Sequence, residues 1–433
     1  RLRRRALENC FERILFELRS TRHACVSPVN GLLNVLAVWD RAPRHADFLP
    51  AWRGLDYWVW EDEAEGIRYN GAHSHTWDTA FAMQAILDGP DEAAARMKGP
   101  LRTAYAYLRA SQMKEEIPDR RRWYRDRRMG GWCFSDEHHQ WPVSDCTAEA
   151  MSAAIATTGR IDVGEPISGP HLAEAAAFVL SRQNADGGFG SYERNRGTTA
   201  LELCNPAEMF GNCMVERSYV ECTASCVAGL ARFRGRFPAV RPREVERAIG
   251  RGVRFILRAQ RPDGSWEGFW GVNFTYAIMY AVEGLTAAGV PGDHPAIRRC
   301  CEWLLGHQKS DGGWGEHYTS CMERRYIEHP ASQVIMTAWA LMALLRAKHP
   351  AWDAVERGVR LLVSRQKPDG DFPMEAVAGV FFNTAMHHYC LYKNHFTLWA
   401  LGRYEKARRR RHGDARRCRG PARGGAGYRQ RGT

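Results

Sequence analysis

A short motif that recurs along the chain constrains its fold more than any other feature. Apolar residues at helical spacing precede a glutamine, and an Asp-Gly pair then ends the helix and turns the chain. Each copy therefore predicts a helix and a turn, with the glutamine amide bonded to the turn and an aromatic ring packed beneath it. Glutamine, aspartate, glycine and the aromatic residue stand at offsets 0, 3, 4 and 6 in residues 183–189, 260–266, 308–314 and 366–372, and more loosely in 112–132.

A second pattern alternates with this motif without exception. A Thr-Ala pair or a near variant opens a stretch of small apolar residues at Thr79, Thr147, Thr223, Thr275, Thr337 and Thr384. Helices built of small apolar residues suit an inner ring, whereas longer amphipathic helices suit an outer ring. The sequence therefore predicts an all-α fold, an α/α barrel or toroid with inner and outer helix rings and aromatic-glutamine repeats.

Composition indicates the domain boundaries. The barrel is predicted over residues 51–404, after a linker or remnant at 1–50 and before an Arg/Gly-rich tail at 405–433 that is predicted to be disordered. The formal net charge is +12, but most of the cationic excess lies from residue 403 onward, so the body is nearly neutral. No nucleic-acid partner is expected for that body. For the tail, an incidental extension is favoured over an RNA-binding arm.

The cysteines and the hydropathy indicate a cellular compartment. Thirteen cysteines are scattered without the spacing of a disulfide framework, which indicates reduced thiols inside a cell. No apolar run approaches the roughly 18 residues of a membrane-spanning helix, and no signal peptide is recognisable.

The segment WPVSDCTAEA, residues 141–150, places Asp145 beside Cys146 at the predicted start of an inner helix. A helix cap is one interpretation, because aspartate is favoured at helix starts. Residues 221–224 repeat the pattern one unit later, so Cys146 and Cys222 are predicted to face one cavity from neighbouring inner helices. A carboxyl buried there has a raised pKa and holds a proton, and thiols can hydrogen-bond it. This interpretation makes Asp145 a general acid in an apolar cup.

Aromatic residues accompany the turns that lead into the inner helices. Trp266 occupies the repeat position, so packing accounts for it, but the repeat assigns no such role to four others. Aromatic faces stabilise cations by about 0.5–2 kcal/mol each. An acid among such faces, without an evident base or nucleophile, suits chemistry through a carbocation. The aromatic residues in question are Trp77, Phe134, Tyr192, Trp266, Trp270 and Phe381.

These motifs resemble those of the oxidosqualene cyclases, the family of the lanosterol and cycloartenol synthases. The resemblance extends from about residue 39 to residue 404 and includes VSDCTAE (143–149), WDTAFA (77–82), GSWEGFWGVNFTY (264–276) and AGVFFNTAMHHY (378–389). It implies that Asp145 protonates the epoxide of a hydrophobic substrate, 2,3-oxidosqualene, with Cys146 and Cys222 as its hydrogen-bonding partners. The rings then close as a cation cascade, without a metal or another cofactor.

The resemblance also implies which residues meet the substrate. Trp77, Phe134, Trp270 and Phe381 would face the cations, and Tyr192 would line the cavity. Three more residues bear on the product: Val143 resembles lanosterol synthases, whereas His139 and Tyr69 resemble the cycloartenol pattern. Lanosterol is favoured, because Val143 lies in an ungapped match and acts through its volume.

Two departures from the family pattern affect what is expected of the chain. The family's other, N-terminal barrel has no counterpart here, so the chain is expected to be the acid-bearing C-terminal portion of a longer protein. Peripheral, monotopic association with the cytoplasmic face of a membrane is expected through the part that this chain lacks. In addition, YNGAHSHTW (69–77) holds two extra residues, and Phe382 stands where the family usually has Asn.

Three alternatives remain open. A squalene-type cyclase would give a hopanoid, but those enzymes carry an Asp-rich motif where this chain has a single Asp, which favours the more basic epoxide. A zinc prenyltransferase subunit shares the barrel and needs Asp, Cys and His ligands at one metal, yet Cys222, Cys226, His387 and His388 do not reproduce its signature. A non-catalytic toroid would bind only a lipid or a partner.

Overall fold

The computed structural model describes residues 1–62, 66–69 and 71–418. Three antiparallel strand pairs accompany the helices: β1 (Val59–Asp62) with β2 (Gly66–Tyr69), β3 (Trp132–Cys133) with β4 (Pro142–Val143), and β5 (Gly379–Phe381) with β6 (Ala385–His387). The α-helices of the described residues are α1 (Leu2–Ser20), α2 (Pro28–Arg41), α3 (Phe48–Gly54), α4 (His75–Asp88), α5 (Asp91–Arg96), α6 (Lys98–Ser111), α7 (Ser144–Thr157), α8 (Gly169–Leu180), α9 (Val220–Arg236), α10 (Pro242–Ala259), α11 (Phe274–Ala287), α12 (Pro295–Gly306), α13 (Thr319–Glu323), α14 (Val334–Arg346), α15 (Trp352–Arg365) and α16 (Tyr392–Cys418).

Six helices form a closed inner ring. Helices α4, α7, α9, α11, α14 and α16 pack side by side in this order, and α16 returns to α4. In α14, every residue from Val334 to Leu344 is buried. A helix that is apolar all round must be enclosed by other elements, and α6, α8, α10, α12 and α15 pack outside the ring. The predicted α/α toroid is therefore confirmed.

The repeat joins each outer helix to the next one and to the inner ring. The Gln308 amide donates to the carbonyls of Gly312 in its own turn and Ala354 in α15, both at 2.8 Å. The indole of Trp314 donates to the Leu304 carbonyl of α12 at 2.7 Å, and its backbone N–H donates to the Thr337 hydroxyl of α14 at 3.0 Å. Gln112, Gln183 and Gln260 make the same pair of bonds as Gln308.

Gln308→Ala should destabilise the barrel by about 1.5–4.5 kcal/mol, because the side chain loses its bonds to Gly312 and Ala354 and the one it accepts from Arg357 of α15, and each contributes about 0.5–1.5 kcal/mol. Gln366→Ala is the matched control: this exposed glutamine ends α15 and donates only to Gly370. Denaturant unfolding measures both variants. Equal losses for Gln308 and Gln366 would show that the bridge to the next outer helix contributes nothing.

The last inner helix begins later than predicted. Thr384 lies between β5 and β6, where its hydroxyl donates to the Met209 carbonyl at 2.6 Å, and the sixth inner helix starts at Tyr392. Phe382 and Asn383 have φ values of 54° and 66°, a left-handed conformation that an α-helix does not accommodate. The placement of His387 in an inner helix is wrong for the same reason.

Both ends of the barrel carry more structure than the sequence indicates. Residues 1–50, predicted as a linker or remnant, contain α1, α2 and the start of α3, which share a small core around Leu18 and Val38. Helix α16 continues to Cys418, so residues 405–418 are helical where disorder is predicted; residues 419–433 lie outside the described residues. Arg409 extends the packing of α16 through ion pairs with Glu405 and with Glu92 of α5.

Among the helices that the structure describes, none is long and apolar enough to cross a membrane.

Candidate active site

The start of α7 positions the predicted acid. Val143 precedes the helix in an extended conformation, with φ −118° and ψ 145°, so Asp145 lies in the first turn rather than at the cap. The Thr147 hydroxyl donates to the Val143 carbonyl at 2.7 Å and accepts the Trp132 N–H at 2.9 Å, which fixes the helix start against the preceding repeat. One carboxylate oxygen of Asp145 accepts the Cys146 N–H at 2.7 Å. The cap interpretation is therefore wrong, and the second oxygen is free for another partner.

That second oxygen meets a thiol from the neighbouring inner helix. The Cys222 thiol of α9 donates to Asp145 Oδ2 at 3.2 Å, and the Ser191 hydroxyl lies 3.3 Å from the same sulfur. Asp145 is only 7% exposed. Burial raises the pKa of its carboxyl, and the hydrogen bonds from Cys222 and Cys146 oppose that rise. The carboxyl therefore favours its protonated form, while the thiols stabilise the carboxylate that remains after proton transfer.

An aromatic cavity lies over this carboxyl. Trp270 contacts Tyr192 and Phe381 edge-on, with ring centroids 6.5 and 5.9 Å apart, and Trp77 lies 6.1 Å from Phe134. The structure thus brings these five predicted aromatic residues together with the predicted acid. The aromatic cavity is lined by Trp77, Phe134, Val143, Asp145, Cys146, Ser191, Tyr192, Trp270, Tyr276, Phe381, Tyr389 and Tyr392.

Four of the lining residues were not predicted from the sequence: Ser191, Tyr276, Tyr389 and Tyr392. The Tyr392 hydroxyl accepts the indole N–H of Trp77 at 2.7 Å, and Tyr389 stacks on Tyr392 at 4.4 Å. Tyr276 follows Thr275 in the first turn of α11, so the Thr-Ala pattern offered a signal for it. No comparable signal indicated Tyr389 or Tyr392, because they follow the β5–β6 hairpin, which was predicted as part of a helix.

Two residues predicted to meet the substrate do not reach the cavity, and Cys222 contacts Asp145 without lining the cavity itself. Tyr69 ends β2, pairs with Val59 and is 58% exposed. His139 is buried, but its Nε2 lies 2.9 Å from the Val26 carbonyl and its ring faces Trp58, toward the N-terminal helices. Tyr69 is close to Trp77 in the sequence, and His139 is close to Asp145. Neither of them lies in the cavity that Trp77 and Asp145 line.

The residues considered for zinc do not converge. The Cys222 thiol bonds Asp145, whereas His387 stacks on Phe381 with a centroid distance of 5.3 Å. Across the described ranges, the cluster of three potential metal ligands within 4.8 Å of one another comprises Asp136, Glu137 and His138, on a turn outside the cavity lining.

A polar cavity occupies the barrel on the other side of the acid. Glu149 stands one turn after Asp145 on α7 and accepts the Gln84 amide at 2.6 Å. Burial raises the pKa of Glu149 to about 7. Its cavity is also lined by Asp88, Arg232, Glu283 and other charged residues, so α7 lines the apolar cavity with its first turn and the polar cavity with the residues that follow.

Comparison with known proteins places this geometry in a family. Residues 73–406 match the squalene-hopene cyclase C-terminal domain. The lanosterol synthase of Homo sapiens is 39% identical over 422 residues, which cover 94% of this chain and 56% of that protein. The cycloartenol synthase of Dictyostelium discoideum is 42% identical over 408 residues, covering 94% and 57%. The chain thus spans a little over half the length of these curated relatives.

A solved structure shares the fold at low identity. The type II terpene cyclase MstE from Scytonema superposes with a TM-score of 0.52 at 16% identity, covering 80% of this chain and 92% of that one. The family match covers five inner helices and α16 as far as residue 406, and it includes Asp145, Cys222 and the aromatic cavity. The chain therefore belongs to the squalene-hopene cyclase C-terminal domain family, and its homologues are lanosterol and cycloartenol synthases.

Proposed function

We propose that this chain forms the acid-bearing barrel of an oxidosqualene cyclase, which converts 2,3-oxidosqualene to a tetracyclic sterol precursor. The observation that carries the proposal is the buried Asp145 carboxyl, held by the Cys222 thiol and facing the aromatic cavity. The relatives named lanosterol and cycloartenol synthase support the same reaction.

In the proposed reaction, the Asp145 proton moves to the epoxide oxygen, and the carbon–oxygen bond breaks as alkene electrons close the first ring. Each further closure moves the positive charge to another carbon. Hydride and methyl shifts follow, and loss of a proton ends the cascade with an alkene. The faces of Trp77, Trp270 and Phe381 stabilise the cations by about 0.5–2 kcal/mol each in a dry site. Burial raises the pKa of the Tyr192 phenol, so that ring stays neutral at the cavity wall.

Two residues support the proposed substrate and product. A single carboxyl is a weak acid, so Asp145 suits an epoxide better than an alkene. Val143 lines the cavity beside the acid and occupies less volume than isoleucine, which favours lanosterol over cycloartenol. Because the substrate is lipid-soluble, we also propose peripheral association of the whole protein with the cytoplasmic face of a membrane, through a part that this chain does not include.

The function is tested by supplying the chain with 2,3-oxidosqualene or squalene in parallel and analysing the products by gas chromatography. The whole protein is assayed alongside in a host that lacks its own cyclase. We expect a tetracyclic alcohol from the epoxide, lanosterol rather than cycloartenol, and nothing from squalene. A hopanoid from squalene would overturn the substrate, and substrate binding without turnover in the whole protein would favour the non-catalytic toroid.

Cys222→Ala should slow cyclisation by about 3- to 10-fold without stopping it, because one hydrogen bond of about 0.5–1.5 kcal/mol is lost. The thiol lowers the pKa of Asp145, so its removal raises that pKa further. Activity needs the protonated acid and falls as pH rises through this pKa; the decline should therefore move to higher pH. Cys226→Ala is the control: it removes a buried thiol one turn along α9 that, among the described residues, makes no hydrogen bond to Asp145. Unchanged pH profiles for both variants would contradict the role of Cys222.

A further inference from the structure

A basic groove lies at the end of the barrel opposite the aromatic cavity. The inner helices begin at that cavity, whereas the groove lies where α4 and α14 end and where α16 continues outward. Trp352, at the start of α15, forms part of its wall, and Asp88 is its one carboxylate among the described residues. Six cationic side chains line the basic groove: Arg346, Lys348, Arg403, Lys406, Arg410 and Arg411.

The carboxylates nearby do not neutralise this charge. Asp88 is already bonded by Arg403 and by the indole of Trp399, and Arg403 also pairs with Glu283. Glu283 in turn lies 3.5 Å from Arg346. The next carboxylate along α16, Glu405, is occupied by Arg408 and Arg409. Within the described part of the chain, three groove cations make no side-chain hydrogen bond or ion pair: Lys348, Lys406 and Arg410.

Helix electrostatics account for only part of the groove. A cation in the last turn of a helix is favourable, which explains Arg346 at the end of α14. Lys406 and Arg410 stand one turn apart within α16, and Arg403 precedes them on the same face, where like charges repel. Arg411 lies 4.6 Å over the Trp352 ring, which stacks on Tyr404, so its guanidinium is held at the wall. Lys406 and Arg410 thus remain uncompensated in a helix interior, which fits a site that an anion completes.

We propose that the basic groove binds a phosphate-bearing anion with adjacent negative charges, either a soluble pyrophosphate compound or a phosphorylated lipid headgroup. Lys406 and Arg410 approach from α16 and Lys348 from the turn after α14, so cations on two sides surround the ligand. Ammonium groups act as point charges toward phosphate, and guanidinium groups bind it as planar forks. This proposal does not depend on the cyclase reaction.

The test compares two double variants of the full chain that remove equal charge. Lys406→Ala with Arg410→Ala removes two groove cations one turn apart, and Arg243→Ala with Arg247→Ala does the same on the exposed face of α10. Binding of inorganic pyrophosphate is measured by calorimetry, and binding of phosphatidylcholine vesicles with and without phosphatidylinositol 4,5-bisphosphate by flotation. We expect the groove variant to lose at least about tenfold in affinity and the control to stay near the parent.

Each outcome has a defined meaning. Binding of pyrophosphate alone supports a soluble ligand, and additional binding of the phosphoinositide vesicles supports a lipid headgroup; both must be lost in the groove variant. Equal affinity of the two double variants overturns the proposal, as does binding of a single-stranded RNA that pyrophosphate does not displace. Thermal unfolding verifies that both variants are folded, which is expected because the altered side chains have no partner in the described residues.

Discussion

Asp145→Asn should reduce cyclisation by about 10²- to 10⁴-fold, the range that a positioned general acid contributes. An amide has the shape of the acid but no proton to deliver to the epoxide. Its carbonyl oxygen can still accept the Cys146 N–H, and its NH2 group can face the Cys222 sulfur, a weak acceptor, so the cavity should keep its form. The measurement is product formation from 2,3-oxidosqualene by the whole protein under single-turnover conditions, which separates chemistry from product release.

The matched control is Asp78→Asn. Asp78 lies in the first turn of α4, is buried and has a pKa raised to about 7 by burial, yet it does not line the aromatic cavity. The Asp78→Asn variant should therefore retain most of the cyclisation activity. Near-normal turnover by Asp145→Asn, or an equal loss in both variants, would remove Asp145 from its role as the acid.

The contribution of Asp145 to the free energy of unfolding should change with pH in the opposite sense to that of an ordinary salt-bridged carboxylate. Burial raises the pKa of Asp145 in the folded state, so its contribution is fully present below the unfolded pKa and declines as pH rises through the folded value. In Asp145→Asn this part of the pH dependence should disappear. Thermal unfolding of the parent and of Asp145→Asn across the acid range measures this difference. Identical pH dependence of the two melting temperatures would show that the Asp145 carboxyl is not desolvated.

The sequence was informative where the fold repeats itself. Because Cys146 and Cys222 occupy equivalent positions in successive units, their shared approach to the Asp145 carboxyl followed from the spacing alone. The repeat ends near Phe382, where two left-handed residues form a hairpin, and no helical pattern could predict that turn. Tyr389 and Tyr392 reach the cavity only because of the hairpin, so they were missed.

The ion pairs that help to close the inner ring could not be predicted from the sequence either. Arg403 of α16 pairs with Asp88 of α4 and with Glu283 of α11. These partners lie 315 and 120 residues away along the chain. No local pattern connects residues at such separations, and the arginine was grouped with the basic tail. In the structure it instead joins the last inner helix to two others.

Arg403→Met should therefore destabilise the barrel by about 3–5 kcal/mol, because it leaves two partly buried carboxylates without their shared cation. Burial alone would raise the pKa of Asp88, but Arg403, the Trp399 indole and Arg346 together outweigh burial and lower it below its ordinary range. That contribution is present above the unfolded pKa and is lost as pH falls, so the variant should lose less stability in acid than the parent. Denaturant unfolding at neutral and acidic pH measures both effects.

Two further variants separate the ion pairs from packing. Arg408→Ala removes an arginine of the same helix that pairs only with Glu405 within the described residues, and should leave the free energy of unfolding nearly unchanged. Adding Asp88→Asn and Glu283→Gln to Arg403→Met should recover only part of the loss, because the stranded Asp88 carboxylate becomes neutral while Glu283→Gln also gives up the ion pair with Arg346. A loss below about 1 kcal/mol in Arg403→Met alone would mean that apolar packing closes the ring. Recovery in the triple variant would show that the penalty arises from unpaired charge where α16 meets α4 and α11.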